Sequence, residues 1–250
     1  CHAVVLGHNN LLISADYPGA ASRAFERLTG AKALFLTGAC GDINPLTPGT
    51  LMERVYDRTV GTFVDAEEMG TAVACEAVKS LMGQRPREVD RLAAARRTVE
   101  LELQRIPEVR PGEVAALEEE LRKALAEGRP AEQLRWKLGV ARWAAEVAAM
   151  LRRRAPSGRL ATEVQAIRVG GAAIVGLPGE PLVELGLEVK AGSPLRPTLV
   201  AGYTNDAIGY VPTDAAYDEG GYEVTPPACV VARGSAGRLV RAALSLLGEL

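Results

Sequence analysis

The chain has 250 residues, of which 48% are hydrophobic, 24% charged and 4% aromatic, a composition that excludes disorder and supplies enough apolar material for a core. Its 29 Lys and Arg against 31 Asp and Glu leave a net charge of −2, so no general field draws it onto nucleic acid or anionic lipid. Charges interrupt every long apolar stretch, which argues against a membrane-spanning helix and for a soluble protein.

The sequence begins at Cys1 in a strand-like segment, with no basic leader and no signal-type apolar run, and reads as a piece of something longer. Residues 3–6 and 11–14 are short apolar runs, and Asp16-Tyr17-Pro18-Gly19 then marks a break. Ala21, Phe25 and Leu28 recur at helical spacing until Gly30 ends that element. Residues 33–37 read as a compact buried strand, so the first fifty residues alternate strand, helix, strand in the manner of an α/β layer. The strand runs into Gly38-Ala39-Cys40-Gly41-Asp42-Ile43-Asn44-Pro45, whose glycines and proline forbid regular structure and bring backbone amides close to whatever sits there. Asp65 with Glu68 has the form of a capping box for a helix reaching about Met82, with Met69, Ala72, Val73 and Leu81 on its buried face.

A charged strand-like stretch covers residues 98–103. From 111 to 154 the composition shifts to Ala, Glu, Leu and Arg around Gly128-Arg129-Pro130, which predicts a helical hairpin. Val114, Leu117, Leu121 and Leu125 form one stripe, and Trp136, Val140, Trp143, Val147 and Met150 another near heptad spacing, so both tryptophans are expected to pack. Residues 162–169 and 172–177 flank Gly170-Gly171, a β-hairpin whose two-residue turn needs positive φ. Pro181 is expected to open a helix to about Lys190, with Glu180 just before it. Strands at 198–202 and 228–232 and a closing helix from Gly234-Ser235 to Leu247 complete the chain. The expected fold class is α/β, a mixed β-sheet core layered with helices, as one domain over residues 1–250 with the helical hairpin inserted at about 108–156.

Cys1, Cys40, Cys75 and Cys229 lack CxxC spacing, so they offer neither a zinc knuckle nor a redox pair. Free thiols favour a cytoplasmic setting; secretion, with a disulfide, is the other reading. Three loops leave apolar strands carrying polar residues that a connector does not require: residues 38–45, Glu180, and residues 203–222 with Tyr203, Tyr210, Tyr217 and Tyr222. Glu180 reads equally as a helix cap or a catalytic group, and the tyrosines as a pocket wall or exposed turn residues. His2 and His8 are the available imidazoles, too widely separated for an HExxH-like pair. No GxSxG, dinucleotide fingerprint or P-loop occurs.

His2 followed by Leu12-Ile13-Ser14-Ala15-Asp16, then Gly41-Asp42-Ile43-Asn44-Pro45, Pro178-Gly179-Glu180, the Asn205 to Tyr210 segment and Tyr222-Glu223 stand in an order that resembles the catalytic domain of the neutral/alkaline non-lysosomal ceramidases. Those are zinc-dependent amidases of N-acyl sphingosines. The likeness runs from His2 to about Glu223 and is poorest over the helical hairpin, and it marks the chain as the C-terminal part of a longer ceramidase-like domain. It implies that His2, Glu180 and Tyr210 are zinc ligands, that Asp42 and Asn44 orient substrate or water, and that Tyr222 donates a proton or hydrogen bond.

Two features depart from the family pattern. Its other zinc histidine belongs to a segment upstream of Cys1, and Asn44 stands where the family has its serine nucleophile, although an amide cannot form an acyl-enzyme. Three readings follow: metal-activated water with Asn44 donating to the developing oxyanion, Cys40 as a displaced nucleophile, or an inactive binding or scaffold protein. The first is favoured, which gives a zinc-dependent hydrolase of a ceramide-like or other N-acyl amide. Low aromatic content makes a polar or short-chain amide as credible as a lipid. The hairpin's tryptophan stripe offers a surface for homo-oligomer formation.

Overall fold

The computed structural model describes residues 1–7, 10–47, 59–85, 88–107, 109–110 and 112–250. Its first region is a helix pair rather than the expected strand-helix-strand layer. Residues 1–7 and 10–15 form no strand, and neither do residues 33–37, where Leu34 is exposed. Among the described residues, the backbone bond that ties this last stretch to a neighbouring segment runs from Gly202 N to Thr37 O at 2.9 Å. An apolar run becomes a strand only where a partner completes its ladder, and among the described residues no strand is paired with this one.

Helix α1 (Asp16–Thr29) ends as expected at Gly30, whose left-handed φ of 71° lets its N–H close onto Glu26 O. Helix α2 (Phe63–Leu81) packs against it. The capping box of α2 lies three residues upstream of the expected one: Thr62 Oγ1 accepts from Asp65 N at 3.3 Å, and Asp65 Oδ2 accepts from Thr62 N at 2.7 Å. Asp65 is therefore the third helical residue and not the cap. The buried face is Ala66, Gly70 and Ala74, small residues that let the two helices approach; Val73 and Leu81 are exposed.

Strand β1 (Leu92–Glu102) begins six residues earlier than expected. Helices α3 (Glu113–Ala126) and α4 (Glu132–Arg154) form the hairpin, but the buried residues of α4 are Leu138, Ala141 and Leu151. Trp136 and Trp143 are 64% and 37% exposed, so the expected tryptophan stripe is rotated off the packed face. Trp136 lines an open groove of about 350 Å³ together with Val140, Pro226 and Pro227.

Strands β2 (Arg159–Val169) and β3 (Ala172–Gly176) make the expected hairpin, with Gly170 at φ 59°. Strand β4 is the pair Glu180–Pro181, so Pro181 closes a strand instead of opening a helix. Helix α5 (Val183–Gly192) follows, then β5 (Thr198–Ala201), β6 (Tyr210–Val211), α6 (Asp214–Glu219), a single 3₁₀ turn at Tyr222–Val224 and α7 (Ser235–Glu249). Residues 228–232 contribute bridges, Gly209 to Cys229 and Leu103 to Val231, rather than a full strand.

The main sheet has the order β1-β2-β3-β5, antiparallel except for the parallel β3–β5 edge, which makes it mixed. Alternate residues of β2, Leu160, Thr162, Val164 and Ala166, are buried beneath α7, whose Leu239, Val240, Ala243, Leu246 and Leu247 close the core. With α5 beside β5 and α7, the arrangement is α/β. All four cysteines are free thiols. Among the described residues, no helix is long and apolar enough to cross a membrane.

Candidate metal centre and active site

Glu180 and Tyr210 are neighbours because β4 and β6 pair in parallel with these two residues in register. The ladder bonds run from Glu180 N to Gly209 O at 2.9 Å and from Leu182 N to Val211 O at 3.2 Å. Pro181, which has no N–H, thus occupies the position that needs no donor. Gly179 turns the chain into β4 at φ 63°, and a Cβ there would lie 2.3 Å from Gly209 O. The tyrosine loop packs onto this turn: Gly179 N donates to Asp206 O at 2.9 Å, and Tyr203 N donates to Gly179 O at 2.7 Å. Asp206 is itself gripped by both Arg154 guanidinium nitrogens, at 2.9 and 2.6 Å, and by Thr162 Oγ1 at 3.0 Å. Burial pushes its carboxyl up, but the bonds from Arg154 and Thr162 together hold it below the ordinary value.

His2 reaches the same place from the other region. Its backbone N donates to Ile43 O at 2.8 Å, and the turn carrying Ile43 is bound to β4 by Gly41 N donating to Pro181 O at 2.9 Å. Only glycine fits at position 41, since a Cβ would meet Glu180 O at 2.5 Å. Buried Asp16 holds the segment after His2 by accepting from Val5 N at 3.2 Å and Leu6 N at 3.0 Å. Tyr17 holds the segment before it, donating to Cys1 O at 3.0 Å.

The result brings Glu180 and Tyr210, 178 and 208 positions after His2 in the sequence, to the same place, with His2 Nε2 3.7 Å from Glu180 Oε2. The His2 and Tyr210 rings lie 6.1 Å apart at 77°, and the Tyr210 and Tyr222 rings 5.7 Å apart at 74°. On the far side of the imidazole, Nδ1 is 3.0 Å from Tyr203 Oη and 3.8 Å from Cys40 Sγ, while Nε2 is also 3.2 Å from Gly41 O. Burial first, then the Glu180 charge, pushes the phenols of Tyr203, Tyr210 and Tyr222 above the ordinary tyrosine value. Among the described residues, the basic side chain beside Glu180 is the His2 imidazole, and no lysine or arginine pairs with this carboxylate. A divalent cation fits that charge. Zinc ligands at about 2.0–2.2 Å in a tetrahedron stand about 3.4 Å from one another, close to the His2 to Glu180 separation. Among the described residues, no three His, Cys, Asp or Glu side chains form a metal-holding group. The convergent set is one imidazole, one carboxylate and phenols.

The other expected residues, Asp42, Asn44 and Tyr222, lie on the neighbouring segments. Asp42 Oδ1 accepts from Val183 N at 2.8 Å, which caps the start of α5. Asn44 is exposed two residues further along the same turn. Tyr222 is exposed beside Tyr210, at the rim. Cys40 is fully buried, and burial pushes its thiol up despite the Cys1 amino group nearby, which leaves it poor in the thiolate a nucleophile requires. His8 lies outside the described residues. The sequence reading missed the contact of Tyr203 with His2. Tyr203 was legible as part of the tyrosine loop, but its left-handed φ of 55°, which turns the side chain back on His2, leaves no mark in the pattern.

No family model matches the chain. Over 66 residues, 24% of this chain and 10% of the other, it is 39% identical to a neutral ceramidase of Mycobacterium tuberculosis (strain ATCC 25618 / H37Rv). Its structure superposes on the neutral ceramidase of Pseudomonas aeruginosa with a TM-score of 0.61 and 20% identity, covering 98% of this chain and 42% of that one. The chain folds like part of a neutral ceramidase. A second solved structure, a ceramidase complexed with C2, gives a TM-score of 0.61 and 18% identity over 98% of this chain and 44% of that one. The chain thus spans less than half of either solved ceramidase, and its sequence match is partial homology to the family.

Proposed function

We propose that this chain contributes three ligands to a zinc centre in a hydrolase of N-acyl amide bonds, with His2, Glu180 and Tyr210 holding the metal. The observation that carries the reading is the meeting of an imidazole, a carboxylate and a phenol from two separate regions, with His2 Nε2 3.7 Å from Glu180 Oε2 and no lysine or arginine paired to that carboxylate among the described residues. The partial homology to neutral ceramidases and the shared fold support a ceramide-like substrate. Zinc held there by His2, Glu180 and Tyr210 would supply a Lewis acid for the amide carbonyl and would activate water for its attack.

The remaining steps belong to the chain's own residues. Tyr222, at the open rim and kept protonated by its surroundings, donates a hydrogen bond or proton to the departing amine. Asn44 offers an amide N–H to the developing oxyanion and forms no covalent intermediate. Asp42 acts through position: by capping α5 it fixes the Gly41 turn against β4.

Elemental analysis of the full-length protein tests the metal, with about one zinc per chain expected and occupancy reduced in Glu180→Ala and Tyr210→Phe. Unchanged zinc in both variants overturns the assignment. A second reading, an inactive ceramidase-like scaffold, is favoured by Asp42 being engaged as a cap and by Asn44 at the serine position. Zinc binding without turnover of short or long acyl amides would select it.

A further inference from the structure

We propose that Tyr203 is a positioning residue whose hydroxyl lets His2 carry its ring proton on Nδ1 and present a bare Nε2 toward Glu180. The inference deepens the zinc reading above and rests on it. His2 is buried, and its two ring nitrogens face different company. Nε2 has two acceptors, Gly41 O at 3.2 Å and Glu180 Oε2 at 3.7 Å. Without a cation, both draw the ring proton to Nε2, the nitrogen a metal on that side needs unprotonated.

Nδ1 has Tyr203 Oη at 3.0 Å and Cys40 Sγ at 3.8 Å. A phenol hydroxyl both donates and accepts, so Tyr203 can donate to a bare Nδ1 in one state and accept from Nδ1–H in the other. The thiol is a weak partner for either task. If the hydroxyl were removed, a metal-bound His2 would bury its Nδ1–H against sulfur.

The backbone supplies an independent argument. Tyr203 holds a φ of 55°, a conformation aromatic residues rarely adopt. The bonds that impose it, Tyr203 N to Gly179 O at 2.7 Å and Thr204 N to Leu177 O at 3.0 Å, come from the same turn that carries Glu180. One turn therefore aims a carboxylate at Nε2 and a phenol at Nδ1 of one imidazole, with the phenol hydroxyl also within reach of the Glu180 carboxylate.

The test is zinc affinity by chelator competition on the full-length protein, wild type against Tyr203→Phe and Cys40→Ala, with thermal melting to show that each is folded. Tyr203→Phe is expected to weaken zinc binding about 10- to 100-fold, the usual effect of removing a hydrogen-bond partner of a ligating histidine, and Cys40→Ala to leave it unchanged. A ¹⁵N spectrum of zinc-loaded wild type, which requires no variant, is expected to show His2 protonated at Nδ1. A folded Tyr203→Phe with wild-type affinity, or a His2 bound through Nδ1, overturns the role of Tyr203 while leaving zinc in place. A wild type that binds no zinc overturns the metal reading and this inference with it.

Discussion

The two regions that meet at His2 and Glu180 are held together by different forces. The sheet region has an extended core in which Leu160, Val164, Val175, Leu177, Leu239 and Leu246 are fully or almost fully buried, and at roughly 25 cal/mol per Å² of apolar surface such burial dominates its stability. Among the described residues, the N-terminal region has a core cluster of Val5, Leu6, Tyr17 and Ala66, with Cys1, Phe35 and Met69 partly buried around it and the small buried residues of the α1–α2 seam beside it. Polar clamps add to it there: Asp16 on Val5 N and Leu6 N, Tyr17 on Cys1 O, and Gly41 N on Pro181 O. Glu180, Tyr210, Tyr203 and Tyr222 thus stand on a frame fixed by packing, whereas His2 is placed by hydrogen bonds. Local opening of the second kind of region costs less than global unfolding.

The largest effect is expected where the frame itself is forced apart. Gly179→Ala would put a methyl 2.3 Å from Gly209 O at a residue whose φ is 63°. Strain of about 1–3 kcal/mol from the backbone and a similar amount from the clash lower the stability of the whole chain by about 3 kcal/mol or more. Urea denaturation reads this as a lower midpoint at unchanged slope. A midpoint within error of wild type would show that the β4–β6 turn is not part of the rigid frame.

A smaller and more local loss is expected from Asp16→Ala. Three buried backbone amides, those of Val5, Leu6 and Tyr17, lose their acceptor, at a cost of about 2 kcal/mol. Hydrogen exchange should quicken at Val5 and Leu6 while amides in the middle of α7 keep their wild-type protection. If α7 loosens equally, the two regions form one cooperative unit and the contrast between them fails.

The same contrast decides what the sequence made legible. In the sheet region, period-2 burial in β2, the Gly170 turn and the long amphipathic α7 follow from hydrophobic patterning, and all were readable. Glu180, too, was picked out by its place after a buried strand, although its local state was not: a two-residue strand is defined by its partner, and Tyr210 lies 30 positions further on. In the N-terminal region, residues 3–6 and 33–37 have strand composition and, among the described residues, no ladder. Patterning reports what a segment would bury, not whether a neighbour arrives to pair with it. The meeting of His2 with Glu180 was reached through family resemblance and not through spacing. The partnership of His2 with Tyr203 escaped both, because one residue's left-handed backbone decides it.

The smallest expected effect asks whether the packed frame also relies on a clamp. Arg154, the last residue of α4, grips Asp206 with both guanidinium nitrogens, and Asp206 O in turn accepts from Gly179 N, so the pair fastens the hairpin to the turn beneath Glu180. The Asp206 carboxyl is held below its ordinary value, so it titrates lower in the folded chain than the roughly 3.9 of an unfolded aspartate. Its contribution is therefore complete above that unfolded value and is lost as pH falls through the lower folded one. Arg154→Met should cost about 1 kcal/mol at neutral pH, the low end for a charged hydrogen bond, because Arg154 is 37% exposed and water screens the pair. The variant should also lose the part of the acid-induced destabilisation that Asp206 supplies, so the wild-type and variant curves of stability against pH converge on the acid side. Curves that stay parallel down to the lowest pH would mean that packing alone holds the loop, and that the sheet region needs no polar clamp at all.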